Sequence, residues 1–206
     1  MNRSSLLRIL AIGAVLATSA HAETPATPAV VPAGSATAIF AGGCFWCVES
    51  DFEKLPGVIE VESGYTAGRT PNPSYEQVSA GGTGHVEAAR IIYDPKKVSY
   101  AQLLDYFWRH IDPTVKDRQF CDHGTQYRSG IYWANEVERK AAEASRDALL
   151  KSGKFKTIHT ELAPATAFWM AETYHQDYYK KNPIRYSYYR RSCGRDARVE
   201  EVWSGK

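Results

Sequence analysis

The chain has 206 residues, of which 44% are apolar, 23% charged and 12% aromatic. This composition is that of a globular protein with enough apolar material for a core, and it excludes a chain that is disordered throughout. We expect one folded domain, and the formal net charge of +2 does not indicate an acidic partner.

The first 22 residues have the pattern of a secretory signal peptide. Arg3 and Arg8 supply positive charge, and residues 9–16 form an apolar run too short to span a bilayer comfortably. Ala20-His21-Ala22 has the small-x-small form of a cleavage site. We therefore expect cleavage after Ala22 and a periplasmic or secreted protein, with a retained membrane anchor as the alternative. Without Arg3 and Arg8, 23 basic residues face 23 acidic ones, so the net charge belongs to the signal.

Residues 23–36, ETPATPAVVPAGSA, are rich in Pro and Ala and show no periodicity. Such a composition is typical of a flexible linker, so we place the folded domain at residues 37–206.

Strands and helices alternate through this domain. The predicted strands are residues 37–41, 58–63, 85–93, 130–133 and 158–162. The predicted helices are residues 44–55, 99–111, 135–152 and 168–181, and a further short helix follows Cys193. Long polar loops at residues 64–83 and 112–128 separate them, and a long loop inside a compact domain is often functional. The alternation predicts an α/β two-layer sandwich with helices packed on one mixed sheet.

Two of the helices carry local signals. Ser99 and Gln102 form a capping-box pattern at the start of the second helix. The helix that begins at Asn135 is expected to turn four small apolar residues towards the core: Val137, Ala141, Ala144 and Ala148.

The stretch Gly42-Gly43-Cys44 joins the first strand to the first helix. A glycine pair lets the chain turn sharply, which places Cys44 in the first turn of the helix. Free backbone N–H groups and the helix dipole stabilise an anion there. The sequence therefore predicts a Cys44 thiol with a lowered pKa that acts as a nucleophile.

Other functions remain open for the four cysteines. Cys44 and Cys47 form half of a zinc site if Cys121, His123 and Cys193 complete it, although no second tight pair of ligands is present. The C-x-x-C pair is also compatible with a thioredoxin-type active site, with structural disulfides or with buried free thiols. Haem attachment is excluded, because Val48 follows Cys47 where a histidine is required.

Several side chains can complete a site around Cys44. Phe45 and Trp46 can form an apolar cup for a methyl group, or they can simply pack in the core. Glu87 shares its strand face with Ala89 and Ile91, so burial should raise its pKa and make it an acid. A salt bridge at the sheet edge is the alternative for this carboxyl group.

Two tyrosines in the long loops are further candidates. Tyr75 and Tyr127 carry phenols that can donate hydrogen bonds, and each alone is as compatible with packing as with catalysis. Together with a nucleophilic thiol and an acid, they indicate a substrate oxygen that must be held and protonated.

Four motifs in this order resemble the methionine sulfoxide reductase A family, which reduces the S-epimer of methionine sulfoxide. They are GCFWCVE, GYTAGRTPNPSYEQV, TGHVEAARIIYDP and DHGTQYRSGIY, and the similarity covers residues 39–183. The resemblance implies a ferredoxin-like two-layer fold and no metal or organic cofactor.

The resemblance also implies a role for each site residue. Cys44 is then the nucleophile, and Phe45 with Trp46 forms the methyl pocket. Glu87, Tyr75 and Tyr127 bind and protonate the sulfoxide oxygen, and Asp122 shapes the site. Cys44 becomes a sulfenic acid, which a second thiol converts to a disulfide.

The second thiol departs from the family pattern. Many members have a glycine where this chain has Cys47, and carry the resolving cysteines in a Gly-rich tail that is missing here. We favour Cys47 as the resolving cysteine, with Cys193 as the alternative and Cys121 as a more distant one. A disulfide between Cys44 and Cys47 requires only a local adjustment of the helix turn.

An external dithiol such as thioredoxin would then regenerate the enzyme, and export implies a periplasmic thioredoxin-like donor. We expect a monomer that acts on oxidised methionine, free or in proteins, binds no nucleic acid and meets the membrane only through its signal. A periplasmic disulfide oxidoreductase is the alternative function. A polyanion-binding module that uses the basic aromatic run 174–191 is a third.

Overall fold

The computed structural model describes residues 24–204. The predicted signal peptide lies outside the described residues. No helix between residues 24 and 204 combines the length and the apolar character that crossing a bilayer requires.

The centre of the fold is a mixed six-stranded sheet with the strand order β7-β6-β1-β3-β2-β8. Its strands are β1 (Ala36–Gly42), β2 (Val58–Thr66), β3 (Val86–Tyr93), β6 (Ser129–Trp133), β7 (Glu161–Pro164) and β8 (Trp169–Met170). Neighbouring strands are antiparallel except β6 and β7, which are parallel. A separate two-stranded ladder joins β4 (Arg118–Gln119) to β5 (Asp122–His123). The predicted α/β fold with a mixed sheet is confirmed.

Helices and loops pack on this sheet. The helices of the described residues are α1 (Phe45–Phe52), α2 (Tyr75–Ser79), α3 (Tyr100–Trp108), α4 (Glu136–Lys151), α5 (Tyr178–Lys181), α6 (Pro183–Ser192) and α7 (Arg195–Trp203). Phe40 of β1 stacks on Phe52 of α1 and on Phe107 of α3, with ring centroids 5.4 and 5.0 Å apart. These three rings are fully buried and tie two helices to the central strand.

Local capping signals predict helix starts well. Ser99 and Gln102 form the predicted capping box at the start of α3. Ser74 and Gln77 form a second one, which opens α2 inside the predicted loop 64–83. That loop is also shorter than predicted, because β2 continues to Thr66.

The predicted helix at residues 168–181 is wrong. Trp169 and Met170 instead add a short edge strand to β2, and only Tyr178–Lys181 is helical. The following helix α6 lies beyond the predicted helix and contains Pro183, a residue type that commonly ends helices. Proline is equally suited to the first turn of a helix, and Pro183 lies there in α6.

The predicted inward face of α4 is also wrong. Val137 is 79% exposed, and Ala144 and Ala148 are exposed as well. The helix is turned so that Ala142 is buried and Ser145 accepts a hydrogen bond from Trp108 Nε1 at 2.9 Å. Alanines lie on several faces of this helix, so their spacing alone does not define the buried one.

Part of the predicted linker lies against the domain. The Ala26 N–H donates to the Ala171 carbonyl at 3.0 Å, and the Ala29 N–H donates to Glu62 Oε1 at 2.6 Å. Residues 25–29 therefore run along the β2–β8 edge of the sheet.

Candidate active site

Two glycines place Cys44 between β1 and α1. Gly43 has a φ of 82°, and a Cβ atom at this position would lie 2.6 Å from Gln119 Cβ. A side chain here would therefore be strained by both the backbone and the neighbouring loop. Cys44 occupies the N-cap position and α1 begins at Phe45, one residue later than predicted.

A small cavity of about 70 Å³ opens beside Cys44. Eight side chains line it: Cys44, Phe45, Trp46, Tyr75, Glu87, Asp122, Tyr127 and Tyr189. The structure thus brings together in one place seven residues that the sequence motifs nominated from four separate segments. Only Tyr189 was not among them.

Glu87 is the buried carboxyl group that lines this cavity. Its side chain is 3% exposed, and Oε2 accepts a hydrogen bond from the Phe45 backbone N–H at 3.0 Å. Burial raises the pKa of Glu87 to about 8, and the nearby Asp122 carboxylate adds to this effect. Glu87 is therefore largely protonated at neutral pH, in agreement with the predicted rise of its pKa, and its role as an acid stays a prediction.

Tyr75 and Tyr127 bring two phenols to the same cavity from the two predicted loops. Tyr75 begins α2, and its backbone N–H donates to the buried Glu172 Oε1 at 2.8 Å. Tyr127 ends a short 3₁₀ turn over Thr125–Tyr127. Burial raises the pKa of Tyr75 to about 12 and also raises that of Tyr127, so both phenols keep their protons and remain hydrogen-bond donors.

Trp46 is held in place by residues far away in the sequence. Its ring stacks on Tyr178 with centroids 3.7 Å apart, and it packs edge-to-face with Tyr189 at a centroid distance of 5.9 Å. Its Nε1 donates to His175 Nδ1 at 3.0 Å. Burial lowers the pKa of His175 to about 4, so the ring is neutral and Nδ1 can accept this bond. Phe45 is 1% exposed and packs against His175 and Tyr65, yet it also lines the cavity.

Tyr189, His175 and Glu172 are site residues that the sequence motifs did not reveal. Tyr189 Oη donates to Asp122 Oδ2 at 2.6 Å and closes one wall of the cavity. Burial raises the pKa of Asp122 although this hydrogen bond opposes the change. The aromatic run 174–191 was the available signal, but it does not say which of its rings point at Cys44.

The predicted lowering of the Cys44 pKa is wrong for the substrate-free protein. Burial raises the pKa of the Cys44 thiol well above its usual range, and the hydrogen bond with Cys47 and the carboxyls of Glu87 and Asp122 raise it further. The first free N–H of the helix, that of Phe45, is already donated to Glu87. Helix geometry alone therefore does not make Cys44 a thiolate.

Cys47 carries the more acidic thiol of the pair. The hydrogen bond with Cys44, together with the smaller effects of Arg195 and Arg190, lowers the pKa of Cys47 to about 7 against the opposing effects of burial and Asp51. Cys44 and Cys47 are both free and buried, and their side chains share this hydrogen bond.

Cys121 and Cys193 form a disulfide with a Cα–Cα distance of 5.0 Å. This bond links the turn between β4 and β5 to the end of α6. Two sulfur ligands of the zinc alternative are thereby joined to each other, so the ligand set that this alternative required is not assembled. The bond also holds the neighbouring Asp122 close to α6, which carries Tyr189.

Comparisons with known proteins agree with this site. The family model "Peptide methionine sulfoxide reductase" matches residues 36–206. A peptide methionine sulfoxide reductase MsrA 2 of Caulobacter vibrioides is 47% identical over 192 residues, which cover 93% of this chain and 97% of the relative.

Solved structures show the same fold. Methionine sulfoxide reductase A of Corynebacterium diphtheriae aligns with a TM-score of 0.67 and 36% identity over 74% of this chain and 77% of that one. Reduced Mxr1 of Saccharomyces cerevisiae aligns with a TM-score of 0.70 and 32% identity over 74% of this chain and 88% of that one. Mxr1 has also been solved in complex with Trx2.

Proposed function

This chain belongs to the peptide methionine sulfoxide reductase family, and we propose that it reduces methionine-S-sulfoxide, free or in proteins, to methionine. The observation that carries the proposal is the cavity itself. A thiol, a protonated carboxyl, two phenols and an aromatic wall converge on a space for a few heavy atoms.

The first step transfers the oxygen from substrate to Cys44. The Cys47 thiolate, which a pKa of about 7 makes available at neutral pH, takes the Cys44 proton along their shared hydrogen bond, and the resulting Cys44 thiolate attacks the sulfoxide sulfur. Glu87 protonates the sulfoxide oxygen while Tyr75 and Tyr127 donate hydrogen bonds to it. The oxygen passes to Cys44, which becomes a sulfenic acid, and methionine leaves.

The aromatic wall, formed by Phe45 and Trp46, contacts the methyl group of the substrate, on the side away from the sulfoxide oxygen. Phe45 and Trp46 line the cavity beside Cys44 and offer an apolar surface that suits the substrate methyl group. Trp46 is fixed by its stacking on Tyr178 and its bond to His175, so this surface exists before substrate arrives.

The second step forms a disulfide between Cys44 and Cys47. Cys47 already contacts Cys44 and has a pKa of about 7, which suits an attacking thiol at neutral pH. The sulfur of Cys193 is bonded to Cys121, which makes Cys47 the better candidate.

A dithiol reductant then restores both thiols by exchange. We assign this role to a thioredoxin-like protein, in keeping with the solved complex of Mxr1 with Trx2. The export pattern of residues 1–22 supports a periplasmic location for both partners.

A disulfide oxidoreductase is the alternative that the hydrogen-bonded C-x-x-C pair favours. The two functions separate in one assay. Incubation with S- and R-sulfoxides and a dithiol should give methionine from the S form only. Insulin reduction without sulfoxide turnover, or turnover of the R form alone, would contradict the reductase function.

A further inference from the structure

A buried cluster of charged side chains, Asp51, Arg190 and Arg195, lies at the face of α1 that carries Cys47. Asp51 is four residues after Cys47, so the two side chains share one face of α1. Arg190 Nη1 lies 2.8 Å from Asp51 Oδ1, and Arg195 Nε lies 3.5 Å from Asp51 Oδ2. Two guanidinium groups therefore meet one buried carboxylate on the face that carries Cys47.

Arg195 is fixed more firmly than an ordinary surface arginine. It is 2% exposed, and its guanidinium donates to the carbonyls of Gly42 and His110 at 3.0 and 2.9 Å. The Phe120 ring covers it at 4.5 Å. Gly42 directly precedes the Gly43-Cys44 turn, so this cation is anchored to the backbone that carries the nucleophile.

The charges of this cluster do not balance inside the protein. Arg190 also pairs with Asp196, but that carboxylate is 69% exposed and is screened by solvent. Asp51 Oδ2 and Arg195 Nε lie 3.5 Å from each other without forming a hydrogen bond, so this ion pair is a loose one. A buried cation without a full partner is unfavourable, and an anion beside it is stabilised.

Cys47 is the group that can supply this anion. It is 2% exposed, and the charged and titratable groups that act on it are Cys44, Arg195, Arg190, Asp51, Glu87 and Tyr186. Asp51 opposes a thiolate at Cys47, whereas both arginines favour it.

We propose that Arg195, assisted by Arg190, is a positioning residue that holds Cys47 as the thiolate which resolves the Cys44 sulfenic acid. This inference rests on the proposed function. In the step it supports, the Cys47 thiolate attacks the sulfur of Cys44–S–OH. The new S–S bond forms as the S–O bond breaks, and the leaving hydroxide is balanced by the proton that Cys47 has released, which gives water. Cys47 is oxidised and the sulfenic sulfur is reduced.

The arginines matter most at this step. The first step leaves the Cys44 proton on Cys47, so Cys47 must release it before it can attack, and Cys44 no longer has an S–H group that donates a hydrogen bond to the Cys47 sulfur. Arg195 and Arg190 are then the remaining groups that favour the thiolate. Arg195 follows Cys193 by two residues, so the Cys121–Cys193 disulfide anchors the segment that carries it.

The test measures the resolving step by itself as a function of pH. Protein with free Cys44 and Cys47 is mixed with one equivalent of methionine-S-sulfoxide, and dimedone-trapped sulfenic acid and Cys44–Cys47 disulfide are counted by mass spectrometry over time. In Arg195→Met we expect the pH midpoint of disulfide formation to rise by about one unit or more. At a pH below the midpoint, each unit corresponds to a roughly tenfold slower rate relative to methionine release.

Two further variants distinguish charge from packing. Arg195→Lys keeps the charge, so its midpoint should stay near that of the wild type. Arg198→Met is the matched control, because Arg198 also lies on α7 but pairs with Asp112 and Glu201 away from Cys47. Arg190→Met is measured in parallel and should shift the midpoint upward, which keeps the test decisive even if Arg195→Met does not fold.

The outcomes separate this inference from the proposed function. An unchanged midpoint in folded Arg195→Met, or in Arg190→Met where Arg195→Met is not folded, overturns the role of the arginines. A wild-type protein that releases no methionine overturns the reductase function itself.

Discussion

The backbone N–H of Phe45 donates a hydrogen bond to Glu87 Oε2 at 3.0 Å. This bond joins the first residue of α1 to the acid on β3, so the nucleophile and the acid are set at a fixed distance by main-chain geometry. It also opposes the burial that raises the pKa of Glu87 to about 8. Burial outweighs this bond, so Glu87 stays protonated at neutral pH while the Phe45 N–H holds its carboxyl group in place.

Replacing Glu87 with glutamine should remove the proton donor and keep the acceptor for Phe45. We expect the rate of methionine release to fall by about 10²–10⁴-fold, the usual contribution of a general acid. Single-turnover release of methionine measures this effect. Glu76→Gln is the matched control, since Glu76 lies on the exposed side of α2. Equal rates in Glu87→Gln and Glu76→Gln would contradict the role of Glu87.

The pH dependence follows from the same carboxyl group. Glu87 must be protonated to act, so the oxygen-transfer rate should fall as pH rises through about 8. Its raised pKa also means that the folded protein binds the proton more tightly than the unfolded chain, so stability should fall as pH rises from the ordinary glutamate range to about 8. Denaturant unfolding at several pH values checks this, and Glu87→Gln should flatten the dependence. A slope identical in the two proteins would count against a buried, protonated Glu87.

The sequence predicted the seven cavity residues because they lie in motifs that keep the chemistry on short segments. The sequence did not predict Tyr189, His175 and Glu172 as site residues, because their role depends on how the segment after β7 crosses the sheet. The rise of the Cys44 pKa was not predicted for a related reason. Helix position favours a thiolate, but burial and the neighbouring Glu87 and Asp122 outweigh this effect. The spacing of residues in the sequence reveals none of these three influences.

The two phenols share one task, which is to donate hydrogen bonds to the substrate oxygen. Tyr75→Phe and Tyr127→Phe should each lower kcat/KM by about tenfold, and the double variant should lose more than either alone. Steady-state kinetics with methionine-S-sulfoxide measures all three. Tyr188→Phe is the control, because Tyr188 is 75% exposed on α6. Full activity in the double variant would show that the phenols do not hold the substrate oxygen.

Position 43 requires glycine for two reasons, its left-handed backbone conformation and the close approach of Gln119. Gly43→Ala should be destabilised by about 1–3 kcal/mol from the left-handed backbone and by a further amount from the clash with Gln119. Gly153→Ala is the matched control, since it has a similar φ of 76° but no atom within 4 Å of the added Cβ. Denaturant unfolding compares the two. An equal decrease in the free energy of unfolding of the two variants would mean that the contact with Gln119 does not add to the cost.

The Cys121–Cys193 bond should stabilise the fold without taking part in the first turnover. Replacing both cysteines with serine should lower the free energy of unfolding by about 2–4 kcal/mol, because the bond closes a long loop. The variant should still release one methionine per protein when mixed with substrate in the absence of reductant. If a folded variant released no methionine, Cys121 and Cys193 would have a direct role in catalysis.

The most direct test follows one turnover of the wild-type protein without added reductant. Methionine is counted, and the disulfides are mapped by mass spectrometry in the same sample. We expect one methionine per protein from the S-sulfoxide, a new bond between Cys44 and Cys47, and an intact Cys121–Cys193 bond. The absence of methionine, or a new bond that joins Cys44 to Cys193, would contradict the account.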